Sequence, residues 1–386
     1  MTTAQINSVA REMPRSGIRE VMDAAWGQPN VIHLEVGEPD FATPAHVVEA
    51  AHRAVAGGAT HYTPTAGVPE LRERLADKVS RRDSRPVDAE QMIATHGGVA
   101  GIYLTLQALT EPGDQVLLPD PAWPNFLMMA KLLHLQPRLY PLRPDAGFVP
   151  LVEDVEALVT RRTRLLLLNS PSNPLGAVID RDRTLELTQL AERHDLWVLS
   201  DECYDELVFA PGGFTSPAPF APDRVVTVGS FSKTYAMTGW RIGYITAPYE
   251  VATPIIKCME PLLSCANTPA QMAAIAALDG PQAVVAEMGD SYRARRDAAV
   301  ELLRQREQPL LVPDGAFYLW VDISESGLAS RDFALRLLAE QSVAVAPGIA
   351  FGGGEGYVRV SLATAQPDLL EGLQRLTAFA SQLQQA

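Results

Sequence analysis

The chain has 386 residues, more than one typical hydrophobic core organises, so two domains are expected. Apolar residues make up 47% and charged residues 20% of it, which is typical of a soluble globular protein. The formal net charge of −14 argues against nucleic acid or an anionic membrane as a partner.

The N-terminal segment and the cysteines exclude further classes of protein. The segment "MTTAQINSVAREMPRSGIRE" has scattered charges and no apolar signal-peptide core, and no run approaches the ~18 apolar residues of a membrane span. We therefore expect a cytoplasmic protein. Three cysteines without a CxxC pair and seven histidines without HExxH-type spacing predict neither a disulfide framework nor a metal site.

From about Ala45 to Gly280, short apolar runs alternate with helical stretches, which is the pattern of an α/β layer structure. The clearest predicted strands are "QVLLP" from Gln115, "RLLLLN" from Arg164, "LWVLSD" from Leu196 and "RVVTVG" from Arg224. They are apolar throughout rather than alternating. This favours a mostly parallel sheet with helices on both faces.

The sequence after Gly280 is organised differently. We expect a helix over 291–308, the strand "GAFYLWVDI", a helix around Phe333 to Glu340 and the strand "YVRVSLA". These elements indicate a smaller α+β unit, and the N-terminal residues have too little apolar sequence for a core of their own. We therefore predict a large domain over 46–282 and a small domain formed by 1–45 and 283–386.

Polar side chains follow each of the four predicted strands. In open parallel sheets, ligands bind beyond the carboxyl ends of the strands. The residues that occupy these ends are Trp123, Asn173, Asp201 with Tyr204, and Lys233 with Arg241. Each alone is compatible with a structural role, such as packing for an indole, a turn for "NSPSNP" or a helix N-cap for an aspartate. Together at one sheet edge they indicate a site.

Two further features fit the same edge. Gly97–Gly98 precedes apolar residues at helical spacing, and the free amides of a helix N-terminus suit a phosphate. Lys233 is one of four lysines in the chain and lies in "GSFSKTYAMTGWRIGY" among small, hydroxylated and apolar residues. An amine, unlike a guanidinium, can lose its proton and attack a carbonyl. A phosphate site, a flat ring, a carboxylate, a phenol, an amide and a reactive lysine are what pyridoxal phosphate needs.

With these residues the chain resembles a class I/II aminotransferase of the fold type I pyridoxal-phosphate enzymes, close to bacterial aspartate-type members. The motifs that carry the resemblance stand in family order over nearly the whole chain: "GEPDFATP", "HYTPTAGVPELRE", "NSPSNPLGAV", "SDECYDELVF", "SFSKTYAMTGWRIGY", "PDGAFYLWVD" and "VRVSLA". The resemblance implies two half-reactions, from amino acid to oxo acid and then the reverse on a second oxo acid.

The resemblance also implies a role for each matching residue. Lys233 forms a Schiff base with pyridoxal 5'-phosphate and then acts as the general base at the substrate's Cα. Asp201 pairs with the ring nitrogen of the cofactor. Asn173 and Tyr204 hydrogen-bond its phenolic oxygen, and Trp123 stacks on the ring. The residues implied to hold the phosphate are Gly97, Gly98, Val99, Ser230, Ser232 and Arg241.

By resemblance, Arg359 is the candidate partner of the substrate's α-carboxylate, whereas an arginine at this position taken alone favours a surface salt bridge. The apolar residues of "YVRVSLA" share one face, so a period of two turns Arg359 to the other face, and an arginine fork fits a carboxylate. By resemblance, Gly37 closes over the substrate through its backbone, and Trp123 and Asn173 border it as well. Tyr62 is implied to reach the phosphate from the neighbouring subunit, which implies a homodimer with shared active sites.

The amino donor is expected to be neutral or aromatic. Some aspartate-type relatives carry a lysine after the Gly-Gly pair, whereas Val99, Ala100 and Gly101 stand here, so an acidic side chain lacks one cationic partner. An arginine of the partner subunit is an alternative cation for an aspartate donor.

Two other functions are alternatives to transamination. A lyase or cyclase on the same scaffold uses the same cofactor residues and is the alternative enzyme. A regulator with an aminotransferase-like domain is disfavoured, because such proteins carry a DNA-binding module in front. Here the aminotransferase pattern starts within the first 40 residues and the net charge is −14.

Overall fold

Strands and helices alternate through the middle of the chain in the computed structural model, which describes residues 6–308 and 310–384. The strands of this part are β1 (Ile32–His33), β2 (Met92–Thr95), β3 (Gln115–Asp120), β4 (Gln136–Pro141), β5 (Thr163–Asn169), β6 (Trp197–Asp201), β7 (Val225–Ser230), β8 (Gly243–Thr246), β9 (Tyr318–Asp322), β10 (Val343–Ala344), β11 (Ala346–Pro347) and β12 (Tyr357–Ser361). The helices are α1 (Ser8–Glu12), α2 (Gly17–Ala25), α3 (Ala45–Ala56), α4 (Pro69–Asp83), α5 (Gly97–Leu109), α6 (Asn125–Leu132), α7 (Val152–Glu156), α8 (Arg181–Arg193), α9 (Phe231–Thr234), α10 (Tyr249–Leu263), α11 (Thr268–Asp279), α12 (Ala283–Gln305), α13 (Ser330–Gln341) and α14 (Gln366–Gln384).

The strands β2 to β8 form one seven-stranded sheet in the order β2-β8-β7-β6-β5-β3-β4. Neighbours run parallel except at β8, which is antiparallel to both β2 and β7. The four strands predicted from apolar runs are β3, β5, β6 and β7, and they are adjacent in this sheet. The mostly parallel α/β fold is therefore confirmed.

The apolar runs have a direct explanation in the two faces of β5. Leu165 and Leu167 are buried in a cluster with Ile102 of α5 on one face of the sheet. The alternate residues Leu166 and Leu168 are buried on the other face, in a cluster with the α8 side chains. Because helices cover both faces, all four central positions of the strand, Leu165 to Leu168, are apolar.

Three strands of the sheet were not among the predicted ones. β4 is an edge strand with mostly exposed or half-buried residues, and Pro137 and Pro141 interrupt its β pattern. Proline is tolerated in a sheet mainly at such an edge. β2 and β8 are four-residue strands that are buried throughout, and the period of so short an apolar run does not distinguish strand from helix.

Elements from both ends of the chain build a second core. β11, β12 and β9 form an antiparallel sheet in that order, and β1 pairs in parallel with β10. Val21 and Leu34 of the N-terminal segment are buried with Phe333 of α13 and Leu369 of α14. The division into 46–282 and the two flanking segments stays a prediction, and residues 1–5, 309 and 385–386 of its small domain lie outside the described residues.

Helix α12 differs from its prediction at both ends, since it spans Ala283–Gln305 rather than 291–308. Gly289 and Asp290 have low helix propensity, and for this reason the predicted helix begins after them, eight residues later than α12 does. Packing overrides this preference, because Met288 and Tyr292 on either side are buried in the second core. Within the described chain, no helix combines the length and the apolar character needed to cross a bilayer. The cytoplasmic location stays a prediction.

Candidate active site

A cleft of about 880 Å³ opens where the carboxyl ends of β3, β5, β6 and β7 meet. The predicted site residues that line it are Gly37, Gly98, Val99, Trp123, Asn173, Asp201, Tyr204, Ser230, Ser232, Lys233, Arg241 and Arg359. Gly97 lies directly behind Gly98 in the chain. Tyr62 lies outside the cleft.

Lys233 lies on the single turn α9, directly after β7. Its Nζ donates a hydrogen bond of 2.5 Å to the carbonyl oxygen of Gly37 and lies 5.7 Å from the centre of the Phe317 ring. Burial lowers the pKa of this amine to about 8, and the positive charges of Arg359 and Arg241 act in the same direction. The amine can therefore lose its proton near neutral pH, as a nucleophile or base must.

Asp201 ends β6 and is buried, with 5% of its surface exposed. Its Oδ1 accepts a 3.2 Å hydrogen bond from the Cys203 amide. Burial raises the pKa of this carboxyl above its usual range, although the Cys203 hydrogen bonds oppose the shift. A turn and not a helix follows, so the helix N-cap interpretation of Asp201 does not apply.

Tyr204 and Tyr318 form a buried pair of phenols, with 2.7 Å between their hydroxyl oxygens. Burial raises the pKa of both, so both stay protonated. A Cβ on Gly37 would overlap with the Tyr318 hydroxyl, and so only glycine fits there. Sequence reasoning missed Tyr318. The available signal was alternation on β9, which puts Tyr318 on the same face as Trp320, the residue paired with Arg359 of β12.

Arg359 is buried in the middle of β12, with 2% of its surface exposed. Its Nη1 donates to Asn173 Oδ1 at 2.9 Å and its Nη2 donates to the Glu35 carbonyl at 2.5 Å. The guanidinium lies 4.3 Å from the centre of the Tyr318 ring. Its buried Nε has no acceptor among the described residues. The alternative of a surface salt bridge is therefore wrong, and a donor remains for a ligand.

The N-terminus of α5 faces Arg241 across a narrow gap. Gly97 begins the helix with φ +77°, and a Cβ on it would lie 2.8 Å from Arg241 Nη2. Arg241 Nη1 is held by the Thr238 carbonyl at 2.8 Å. Ser230 is the N-cap of α9, and its Oγ accepts from the Ser232 amide at 3.1 Å. Helix amides, hydroxyls and a guanidinium in one corner form a set of donors suited to a phosphate.

The indole of Trp123 lies between β3 and α6 at the wall of the cleft. It packs edge-on against Phe126, with ring centres 5.5 Å apart. Cys203 also lines the cleft and was missed, and its Sγ packs so close to Gly98 that a Cβ there would lie at 2.6 Å.

The N-terminal segment contributes two arginines that sequence reasoning did not place in the site. Arg15 and Arg19 line the cleft beside the apolar side chains of Ile18, Met22, Val99, Ile102 and Met128. Arg15 pairs with Asp23 at 2.6 Å. Arg19 has no carboxylate within ion-pair distance in the part of the chain that the structure describes, and its Nη1 contacts the Met22 sulfur at 3.5 Å. Position in the fold, not a motif, brings these cations to the cleft.

Tyr62 is 89% exposed and lines an adjoining cleft. Arg241, Thr238 and Gly239 border both clefts. Within one chain, Tyr62 therefore lies near the corner formed by the start of α5, Ser230 and Arg241, but it does not line the cleft that holds Lys233.

Known proteins match nearly the whole chain. The family profile of aminotransferase class I and II matches residues 29–376. An aspartate aminotransferase of Pyrococcus horikoshii is 37% identical over 366 residues, covering 94% of this chain and 94% of that protein. An arginine–pyruvate transaminase of Pseudomonas aeruginosa is 37% identical, covering 92% of this chain and 91% of its own. The solved structure of aspartate aminotransferase from Thermus thermophilus with maleate has a TM-score of 0.94 at 37% identity, covering 98% of this chain and 100% of that one.

The lowered pKa of Lys233 generates a pH prediction for the apoprotein. A lysine in the unfolded chain titrates near ~10.4, whereas burial lowers this one to about 8. Between these values the unfolded state binds the extra proton, so the stability contributed by this group rises with pH. We expect Lys233→Met to be more stable than wild type in urea unfolding at pH 7, with a difference that shrinks towards pH 10.

The matched control is Lys257→Met, at an exposed lysine of α10, which should show no such convergence. A difference for Lys233→Met that stays constant or grows with pH would contradict a neutral amine in the folded protein.

Proposed function

The chain belongs to the class I and II aminotransferases, and we propose that it uses pyridoxal phosphate on Lys233 to move an amino group from an L-amino acid to a 2-oxo acid. The observation that carries the proposal is the convergence of Lys233, Asp201 and Arg359 on one cleft. When bound, this cofactor supplies an aldehyde that condenses with amines and a ring that takes up electrons from the substrate's Cα.

Three features of the chain fit this cofactor. An amine with a pKa of about 8 suits covalent attachment of an aldehyde. A buried carboxyl with a raised pKa suits a protonated ring nitrogen, which would give it the cationic partner that the described residues do not. Glycine amides at the start of α5, beside Arg241, suit the phosphate.

Lys233 has two proposed tasks, to hold the cofactor and to move a proton at the substrate's Cα. Both need an unprotonated amine, and burial supplies it close to neutral pH. The Gly37 carbonyl already accepts a hydrogen bond from Nζ, so this backbone oxygen can orient the amine once it is released from the cofactor.

Asp201, Asn173 and Tyr204 have proposed roles around the ring. Asp201 would keep the ring nitrogen protonated by a charge-assisted hydrogen bond. The Asn173 carbonyl oxygen accepts from Arg359, which leaves its amide group to donate to the phenolic oxygen. Tyr318 accepts from or donates to Tyr204 and so fixes the orientation of that hydroxyl.

Arg359 is proposed to bind the α-carboxylate of the substrate. Its two Nη atoms are held by Asn173 and the Glu35 carbonyl, so the guanidinium is oriented before substrate arrives. Preorganisation of this kind lowers the ordering cost of binding. Its buried Nε, which has no acceptor among residues 6–308 and 310–384, is a donor that a carboxylate oxygen can satisfy.

A homodimer with shared active sites is proposed from the placement of Tyr62. Its ring is 89% exposed and would gain hydrophobic stabilisation from burial against a second subunit. It borders the cleft that adjoins Arg241, at the corner proposed for the phosphate. A second subunit is therefore proposed to bring its own Tyr62 to this corner.

The cleft wall supports a neutral or aromatic donor. Val99, Ile102 and Met128 present apolar surface where the substrate side chain is proposed to lie. Arg19, at the same wall and without a carboxylate partner in the described chain, offers a cation for the distal carboxylate of an acidic 2-oxo acid. We therefore propose 2-oxoglutarate as an acceptor, with aspartate as a second-ranked donor through the same contact.

Attachment of the cofactor is the direct test of this proposal. Borohydride reduction of the holoenzyme followed by peptide mapping is expected to place the label on Lys233. Lys233→Ala should fold and lose turnover, because the half-buried Lys233 side chain borders the buried hydrophobic clusters without being a member of them. Label on Lys78, Lys131 or Lys257 would overturn the proposal.

Substrate preference has a separate prediction. With 2-oxoglutarate and, separately, pyruvate as acceptors, neutral or aromatic donors should exceed aspartate in kcat/KM. Arg19→Met should lower kcat/KM for 2-oxoglutarate by roughly fivefold, or about 1 kcal/mol for a partly exposed ion pair, and leave pyruvate unchanged. Arg53→Met, an exposed arginine of α3 that does not line the cleft, is the control.

An aspartate advantage of roughly tenfold, or about 1.4 kcal/mol, would show that the donor preference is wrong. Equal losses with both acceptors in Arg19→Met would show that Arg19 does not contact the distal carboxylate.

A further inference from the structure

The glycine-rich segment "FGGGEG", residues 351–356, contacts the loop that carries Trp123. The Ala122 amide donates to the Phe351 carbonyl at 2.9 Å. The Gly353 amide donates to Oδ1 of Asp120 at 2.5 Å, across 233 residues of sequence. Two hydrogen bonds therefore fix this segment to the last residues before the indole.

Gly352 and Gly353 lie so close to the Asp120 carboxylate that a side chain at either position would clash with it. A Cβ on Gly353 would lie 2.8 Å from Asp120 Oδ2, and a Cβ on Gly352 would overlap with Oδ1. Gly352 also has φ +94°, a conformation that L side chains rarely adopt. Asp120 has no cationic side chain within ion-pair distance in residues 6–308 and 310–384, and the Gly353 amide is the hydrogen-bond partner of its carboxylate there.

The same segment contacts the proposed carboxylate-binding residue. The ring of Phe351 is buried, and its centre lies 5.0 Å from the Arg359 guanidinium carbon. On its far side the segment is held by Glu355, which accepts a 2.6 Å hydrogen bond from the Ser330 amide at the start of α13. The segment is thus fixed to α13, to Arg359 and to the Trp123 loop.

We propose that Asp120 is a positioning residue. Through the backbone of residues 351–353, it fixes the position of Trp123 relative to Arg359. The proposal rests on the proposed function in one respect, that Trp123 contacts the cofactor ring and Arg359 the substrate. Asp120 itself lies at the end of β3 and does not line the cleft. Its effect passes through the amides of Ala122 and Gly353.

Apoprotein and holoenzyme give independent readouts. Hydrogen exchange of the apoprotein, measured on peptides spanning 350–356, should be about tenfold faster in Asp120→Ala than in wild type. In the holoenzyme, Asp120→Ala should lower kcat/KM for the amino donor about tenfold and weaken the visible circular dichroism of the bound cofactor. Asp120→Asn keeps an acceptor oxygen and should stay within about threefold of wild type.

A second variant separates this role from general destabilisation. Gly353→Ala has an accessible backbone conformation, and the three atoms nearest to its methyl group all belong to the Asp120 carboxylate, so it should reproduce the Asp120→Ala phenotype. The double variant Asp120→Ala/Gly353→Ala should have the same kcat/KM and exchange rate as Asp120→Ala alone. Without the Asp120 carboxylate, the methyl group on residue 353 no longer clashes with it. Asp145→Asn, at an exposed aspartate after β4, is the control and should match wild type.

Wild-type kinetics, circular dichroism and exchange in Asp120→Ala would overturn the proposal, and so would additive losses in the double variant. Failure of the wild-type protein to bind pyridoxal phosphate would instead overturn the proposed function, and the exchange measurement on the apoprotein would still test the contact.

Discussion

Three ionisable side chains, Lys233, Asp201 and Arg359, converge on one edge of the large sheet, and none of them forms an ion pair within the described chain. The packing of the surrounding structure holds them in place. Burying an unpaired charge costs several kcal/mol. Lys233 and Asp201 respond with pKa values shifted towards their neutral forms. Arg359 stays charged, and hydrogen bonds to Asn173 and the Glu35 carbonyl replace its water. A protein tolerates this free-energy cost where a bound ligand supplies the missing opposite charges. Groups with perturbed pKa values therefore often mark functional sites.

The topology of the fold brings these groups together. Parallel strands end at one edge, so Asn169 of β5 lies opposite Asp201 of β6, and β7 delivers Lys233 one strand further. Arg359 reaches the same point from a different sheet, 186 residues from Asn173 in sequence. Since the cleft needs both sheets and the N-terminal segment, no single stretch of the chain contains the site.

Sequence predicts the parts of this site that depend on local pattern. Continuous apolar runs identify β3, β5, β6 and β7 because helices cover both faces of the sheet. The site residues that follow these strands are predicted because ligands bind beyond the carboxyl ends of parallel strands. The direction of Arg359, away from the apolar side chains of β12, follows from a period of two, and its role is implied by the resemblance. The phenol pair of Tyr204 and Tyr318 and the placement of Arg19 do not follow, because they depend on contacts between elements far apart in sequence. The edge strand β4 is hidden by its prolines.

The cleft is proposed to carry out a transamination half-reaction. The most direct measurement mixes holoenzyme with a neutral amino acid and no acceptor, and quantifies oxo acid and ammonia per subunit. We expect one equivalent of oxo acid, no ammonia, and a cofactor spectrum that returns to its starting form when a 2-oxo acid is added. Continued release of oxo acid with ammonia beyond one equivalent would contradict it and assign the chain to lyase chemistry on the same residues.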